Sequence, residues 1–232
     1  VNNSGVIENN GTIDNLGKIS NDSSGQIFNG SGATLNLSST GTVNNGGLIT
    51  SVDGLVNNGS IYGNGMIEIQ NGSFTNSGVM HPTGSSFDNT TFGTMTIVGG
   101  NYIEAGQLVI DIGSPSSLSS LFVFGDLDLT ALSQLSASLL FSPTLADVGS
   151  VFDVVTYTGV LTGVFGSFDP IISANLYWEI FYGTLSSHEQ SVSLRLATVQ
   201  AAVPEPSIYI LFFLILLGFA AAQAKVYRKS VS

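Results

Sequence analysis

The residues best able to do chemistry in this chain are few and scattered. There are two histidines, His81 and His188. His81 stands in Met80-His81-Pro82 and His188 in Ser187-His188-Glu189-Gln190. Neither forms a ligand-spaced pair of the kind that clustered His, Asp and Glu need to hold a metal. Both read as surface residues, with His81 at a corner between strands. Asp126 and Asp128 alternate along Gly125-Asp126-Leu127-Asp128-Leu129, so they face one side of a strand. They could hold Ca²⁺ weakly, but a solvated face is the stronger reading, and the Gly-Gly-x-Gly-x-Asp calcium repeat does not occur. A polysaccharide lyase needs several carboxylates for a metal and a basic residue for proton abstraction. Residues 1–203 offer only Lys18 and Arg195 as cations, one near each end. Gly63-Asn64-Gly65 has no basic residue beside it and reads as a turn, not a phosphate loop. Cysteine is absent, which removes disulfides and thiolate metal sites. The expectation is a protein without catalytic residues, metal or cofactor.

The elements that carry these residues are of an unusual texture. Only 9% of the chain is charged, well below an ordinary soluble domain, and Gly, Asn, Ser and Thr fill the gap. That favours a β-architecture rich in tight turns. Residues 1–203 hold fifteen acids against two cations, a net charge of −13. Nucleic acid is excluded as a partner, since binding it requires phosphate-neutralising Lys and Arg. Neutral glycans, metal ions and polycations remain open.

Residues 1 to 84 repeat a short phrase: Gly, any residue, a large apolar residue, any residue, then often Asn. Gly5-Val6-Ile7-Glu8-Asn9, Gly11-Thr12-Ile13-Asp14-Asn15 and Gly17-Lys18-Ile19-Ser20-Asn21 are examples, as are Gly41 to Asn45, Gly54 to Asn58 and Gly72 to Asn76. Each phrase is too short for a helix and too polar to bury alone. One apolar side chain points inward, its neighbours point outward, and Gly or Asn makes the corner. Stacking such units buries a continuous apolar column. Three phrases per coil give about 18–22 residues per coil, stacked at the inter-strand spacing of about 4.8 Å. Asn at the corners could form side-chain ladders that satisfy turn backbone groups. Two alternatives stay open. Gly/Ser/Asn-rich segments can be flexible linkers, although here the apolar residues keep their phase with glycine. A left-handed hexapeptide helix demands a near-strict period of six, whereas Ile19, Ile27, Leu35 and Val43 are eight apart. That slippage favours a right-handed or irregular β-helix, and a right-handed parallel β-helix is the expected fold.

The Gly-Thr-Ile-x-Asn phrases of residues 1 to 84 resemble the parallel β-helices of bacterial surface adhesins and autotransporter passenger domains. From about Gly99 asparagine thins out and apolar alternation strengthens. Gln107 to Ile112, Leu121 to Phe124, Leu135 to Leu139, Val151 to Val155 and Gln190 to Leu196 read as strands. Gly106 to Ile112, Leu121 to Gly125, Gly149 to Val155 and Gly163 to Phe165 resemble the end of an autotransporter-type passenger. That family often has an Asp where Ser119 and Ser120 stand here. The resemblance implies fold, not activity. Tyr177, Trp178, Phe181 and Tyr182 are expected to cap the solenoid, because open β ends must be covered. A glycan-stacking platform is the sharper reading of the same cluster.

Val203-Pro204-Glu205-Pro206-Ser207 breaks regular structure. An apolar run of 15 to 17 residues follows from Ile208, containing Leu211, Phe212, Leu214, Leu216, Leu217 and Phe219. It is just below the roughly 20 residues of a full span and reads as a single transmembrane helix. Lys225, Arg228 and Lys229 then hold that end in the cytoplasm, which places the preceding domain outside. This order resembles the PEP-CTERM sorting signal of Gram-negative bacteria, which is handled by an exosortase-type membrane enzyme. The resemblance implies that Val203, Pro204, Glu205 and Pro206 are recognised in sorting, and it associates the chain with exopolysaccharide and biofilm. An exported protein also needs an N-terminal signal. None precedes Val1, so a processed or truncated N-terminus with further turns upstream is expected.

The chain thus reads as all-β. Gly/Asn-rich repeats span residues 1–100, further coils and a cap 101–200, and a sorting tail 203–229. The expected function is an exported structural or adhesive protein of the cell surface or biofilm matrix. Its expected partners are an exosortase, surface glycans such as exopolysaccharide, and the inner membrane as a precursor. The alternative is a β-helix carbohydrate-active enzyme.

Overall fold

The computed structural model describes residues 1–83, 92–114, 116–173, 175–183 and 190–198. The described residues up to Thr198 form one compact unit. This unit is all-β and built from stacked parallel strands, a β-solenoid. Each coil contributes one short strand to each of three faces. The first face stacks Asn2–Asn3, Lys18–Asn21, Thr42–Asn45, Ser60–Gly63, Val79–Pro82, Gln107–Ser114, Gln134–Leu139 and Ser167–Phe168. The second stacks Val6–Asn9, Gln26–Asn29, Leu48–Ser51 and Met66–Ile69. The third stacks Thr12–Asn15, Thr34–Leu37, Leu55–Asn57 and Ser73–Asn76. The longer strand Thr94–Glu104 then serves the second face with its first half and the third face with its second. It turns the corner at Gly99 and Gly100, whose φ values of 75° and 63° suit glycine alone.

The central apolar residue of a phrase fills the core, except in Gly54 to Asn58, where Leu55 is buried and the expected Val56 faces out. Ile19, Val43, Ile61, Met80, Leu108 and Leu135 lie one above another on the first face. Ile7, Ile27, Ile49, Ile67, Ile97, Val123 and Tyr157 do so on the second. On the third, Leu55, Phe74, Tyr102, Leu127 and Leu161 form the column. Burying a large side chain of this kind contributes about 1.5–3 kcal/mol, which the polar phrases could not supply singly. The eight-residue spacing of Ile19, Ile27 and Leu35 is one coil visiting its three faces in turn.

Coil length varies more widely than the repeat suggests. Asn21 sits over Asn3 after 18 residues, Asn45 over Asn21 after 24, and Glu104 over Asn76 after 28. Strand registers are kept because the extra residues go into corners, such as Gly30-Ser31-Gly32, where loop length costs little. The corners themselves are tight. A methyl group added at Gly78 would lie 2.0 Å from the Gly59 oxygen of the coil below.

On the second face parallel stacking ends at Val151–Tyr157. That strand pairs in parallel with Ser120–Leu129 and antiparallel with Gln190–Thr198, which pairs in turn with Leu176–Gly183. The antiparallel ribbon covers the open edge of the second face. Trp178 packs edge-on against Phe152 with ring centroids 5.4 Å apart, and Tyr182 Oη accepts the Phe165 N–H at 3.1 Å. Among the described residues no helix is long and apolar enough to cross a membrane.

Candidate functional site

The tail residues expected to carry sorting lie outside the described residues. These are Val203 to Pro206, the apolar run from Ile208 and the basic Lys225, Arg228 and Lys229. Within the solenoid the chemistry is concentrated at the corners. Asn3 Nδ2 donates to Asn21 Oδ1 at 2.8 Å, and Asn21 Nδ2 donates to Asn45 Oδ1 at 2.9 Å. A second ladder runs from Asn9 to Asn29 at 2.7 Å and on to Ser51 Oγ at 3.2 Å. A third runs from Asn57 to Asn76 at 2.7 Å and ends on Glu104 Oε1 at 2.8 Å. At four of the ladder asparagines the glycine two residues on holds the amide's orientation. Gly5, Gly11, Gly59 and Gly78 donate N–H to the Oδ1 of Asn3, Asn9, Asn57 and Asn76 at 3.0–3.3 Å. A backbone N–H can only donate, so the facing atom is oxygen and the nitrogen points to the next coil.

Glu104 occupies an asparagine place in this pattern, with Gly106 N donating to it at 2.8 Å. Its second oxygen accepts the Tyr102 hydroxyl. The residue is fully buried, and desolvation raises its pKa from 4.5 to about 7 against the pull of the Tyr102, Gly106 and Asn76 hydrogen bonds. The same burial, with the Glu104 charge beside it, pushes the Tyr102 phenol well up.

His81 corrects the surface reading. It is 6% exposed, and its Nε2 lies 2.8 Å from Asp111 Oδ2, itself 1% exposed. Both sit on the first face, on the side opposite the core residues Met80 and Ile110. Tyr62, the neighbour of His81 in the preceding coil, has its ring 5.4 Å from the imidazole. A side chain at Gly113 would strike the Phe92 ring, so that ring lies against the strand just past Asp111. Ser119 N donates to Asp111 O at 2.8 Å. Asp111 Oδ1 and Ser119 Oγ are buried and carry no hydrogen bond. The signal for Asp111 was present in Gln107-Leu108-Val109-Ile110-Asp111-Ile112, where one acid interrupts an apolar strand.

The remaining candidates stay apart. Asp126 is exposed and Asp128 half-buried, flanking the buried Leu127, and Asp126 Oδ1 accepts the Val160 N–H at 2.7 Å. Arg195 pairs with Glu179, whose pKa it lowers, and lies 4.8 Å over the Phe181 ring. Of the proposed aromatic platform Trp178 is buried, while Tyr177, Phe181 and Tyr182 are half-buried in the closing ribbon. His188 lies outside the described residues. Among those residues no three His, Asp or Glu are grouped to hold a metal ion.

The fold and these corners define a β-solenoid braced by asparagine ladders. No family model matches the chain, and none of the curated proteins matches it.

Proposed function

We propose that this chain is an exported structural or adhesive protein of the cell surface or extracellular matrix, processed through its C-terminal signal by an exosortase-type membrane enzyme. One observation carries the reading: the order Val203-Pro204-Glu205-Pro206, apolar run, Lys225-Arg228-Lys229. In it the apolar segment is a temporary membrane handle and Pro204-Glu205-Pro206 the recognised feature. The basic end stays on the cytoplasmic side. The solenoid supports a scaffolding role, since its polar groups are spent largely on bracing one coil against the next. Its winding is right-handed, as parallel crossovers are in general. Surface glycans, including exopolysaccharide, are the partners that suit outward rows of Asn, Ser and Thr without cations.

Replacing Pro204, Glu205 and Pro206 together by alanine in an exosortase-bearing Gram-negative host tests the reading. The expected product is longer than the native form and remains in the membrane. Processing and release at the native size would overturn it. Retention of the released native form on exopolysaccharide beads tests the glycan partner.

A further inference from the structure

The first face ends on an incomplete turn. Strand Gln134–Leu139 pairs along its whole length with Gln107–Ser114 on one side. On the other side Ser167–Phe168 reaches only Gln134 and Leu135. The chain then leaves the sheet at Asp169 and Pro170, and Pro170 O accepts the Trp178 N–H at 2.7 Å. Beyond Leu135, no strand among the described residues lies along this edge.

The backbone groups left on that edge can be identified. Gln134 and Leu140 donate their N–H groups to Gly106 O and Ile112 O, toward the paired side. Successive residues of a strand present their backbone groups to opposite sides, so Ala137 and Leu139 direct both N–H and C=O away from it. Ser133 has the same phase, and its oxygen accepts from Gly166 and Ser167 at 2.9 and 3.1 Å. Beside the open edge lies a groove of about 320 Å³ walled by Leu139, Ile171, Ile172 and Trp178. It shares Leu135, Ser136 and Asp169 with a second hollow of about 470 Å³.

We propose that this groove is a strand-addition site for an extended polypeptide segment that turns an apolar side chain inward and places a Lys or Arg at Asp169. An extended backbone supplies a donor and an acceptor at the two-residue repeat on which Ala137 and Leu139 present theirs. The walls of Leu139, Ile171, Ile172 and Trp178 take the inward side chain. Asp169 spends Oδ1 on the Ile171 N–H at 3.0 Å, which leaves Oδ2 toward a cation. The solenoid is acidic, so the complementary charge is the partner's. A glycan offers hydroxyls without the alternating amide pattern and fits the edge less well. This inference stands apart from the sorting reading, which concerns residues 203–229.

Trp178 is the single tryptophan of the chain, so its emission reports on the groove. The probe is the acetylated and amidated peptide Thr-Val-Thr-Val-Thr-Lys, added to the full chain in detergent micelles. The expected result is a saturable change in Trp178 emission, with amide exchange at Ala137 and Leu139 slowed about tenfold or more. The peptide Thr-Pro-Thr-Pro-Thr-Lys, which lacks the needed N–H groups, binds about tenfold more weakly or not at all. Asp169→Asn weakens the lysine peptide about threefold and leaves its Gln-ended counterpart unaffected. The proposal is overturned if the emission is unchanged at millimolar peptide, or if the proline peptide binds equally. It is overturned too if the Ala137 and Leu139 amides of the unliganded protein already exchange as slowly as that of Ile110 in the sheet centre.

Discussion

Asn76 Nδ2 donates to Glu104 Oε1 at 2.8 Å, so a ladder of neutral amides ends on a carboxyl group. Three donors converge on that group, from Asn76, Gly106 and Tyr102. They hold an acceptor in a core that offers it no cation. Ladder and acid are therefore coupled, and the coupling is measurable.

Stability should fall as pH rises through neutrality. The Glu104 pKa stands near 7 in the folded state and near 4.5 when exposed, so the folded state binds the extra proton between those values. Its contribution is fully present below about pH 4.5 and is lost as pH rises through 7, a change of about 3 kcal/mol. Glu104→Gln keeps an acceptor for Asn76 and Gly106 without the charge. Urea unfolding followed by Trp178 emission at pH 5 and pH 8 should show the native protein losing stability and the variant holding level. Equal slopes in the two proteins would sink the idea.

Asparagines within a ladder should matter more than one outside it. Asn76→Ala strands the Asn57 amide, the Gly78 N–H and Glu104 together, a cost of about 2–4 kcal/mol. Asn15 has Leu37 above it in register, and its side chain makes two bonds, each 3.2 Å, to Thr42 O and from Gly17 N. Asn15→Ala should cost about 1 kcal/mol. The ranking is checked by urea midpoints, and an Asn15 variant as damaged as the Asn76 variant would contradict it.

The His81–Asp111 contact should show as a coupling energy. His81→Ala leaves the Asp111 carboxyl buried with neither oxygen bonded, at a cost of about 2–3 kcal/mol. Adding Asp111→Ala should restore part of that loss, since the orphaned group is then gone. Unfolding free energies of the two single variants and the double variant close the cycle. Strictly additive losses would mean that the two side chains act independently.

Corner glycines should separate into two groups. Gly78→Ala drives a methyl to 2.0 Å from Gly59 O and must spread two coils, at a cost of about 3 kcal/mol or more. At Gly46 the nearest atom to a new methyl is 3.4 Å away, so Gly46→Ala should change stability by less than about 1 kcal/mol. Thermal midpoints of the two variants decide it.

The solenoid was legible because its signal is local. An apolar residue two places after Gly, and Asn two places after that, give both the core columns and the ladders. Even Glu104 could have been found, for Glu104-Ala105-Gly106 repeats the spacing of Asn76-Ser77-Gly78 with one residue exchanged. Coil lengths of 24 and 28 were not legible, because corners absorb insertions without disturbing the phase of the strands. His81 and Asp111 are 30 residues apart, and only the stacking of coils shows that they meet. The sorting proposal for residues 203–229 rests on linear order alone and on no contact between coils.

All three ladders hand their amide hydrogens in the same direction, from each coil to the one that follows it in the chain. Every coil therefore presents to its successor the same demand that its predecessor met. Asn57 and Asn76 are 19 residues apart and occupy equivalent places. A second copy of residues 58–76 inserted after Asn76 would set an asparagine over an asparagine and Ile61, Ile67 and Phe74 over themselves. The number of coils is thus open to change by duplicating whole turns, with no new packing to be invented at either splice.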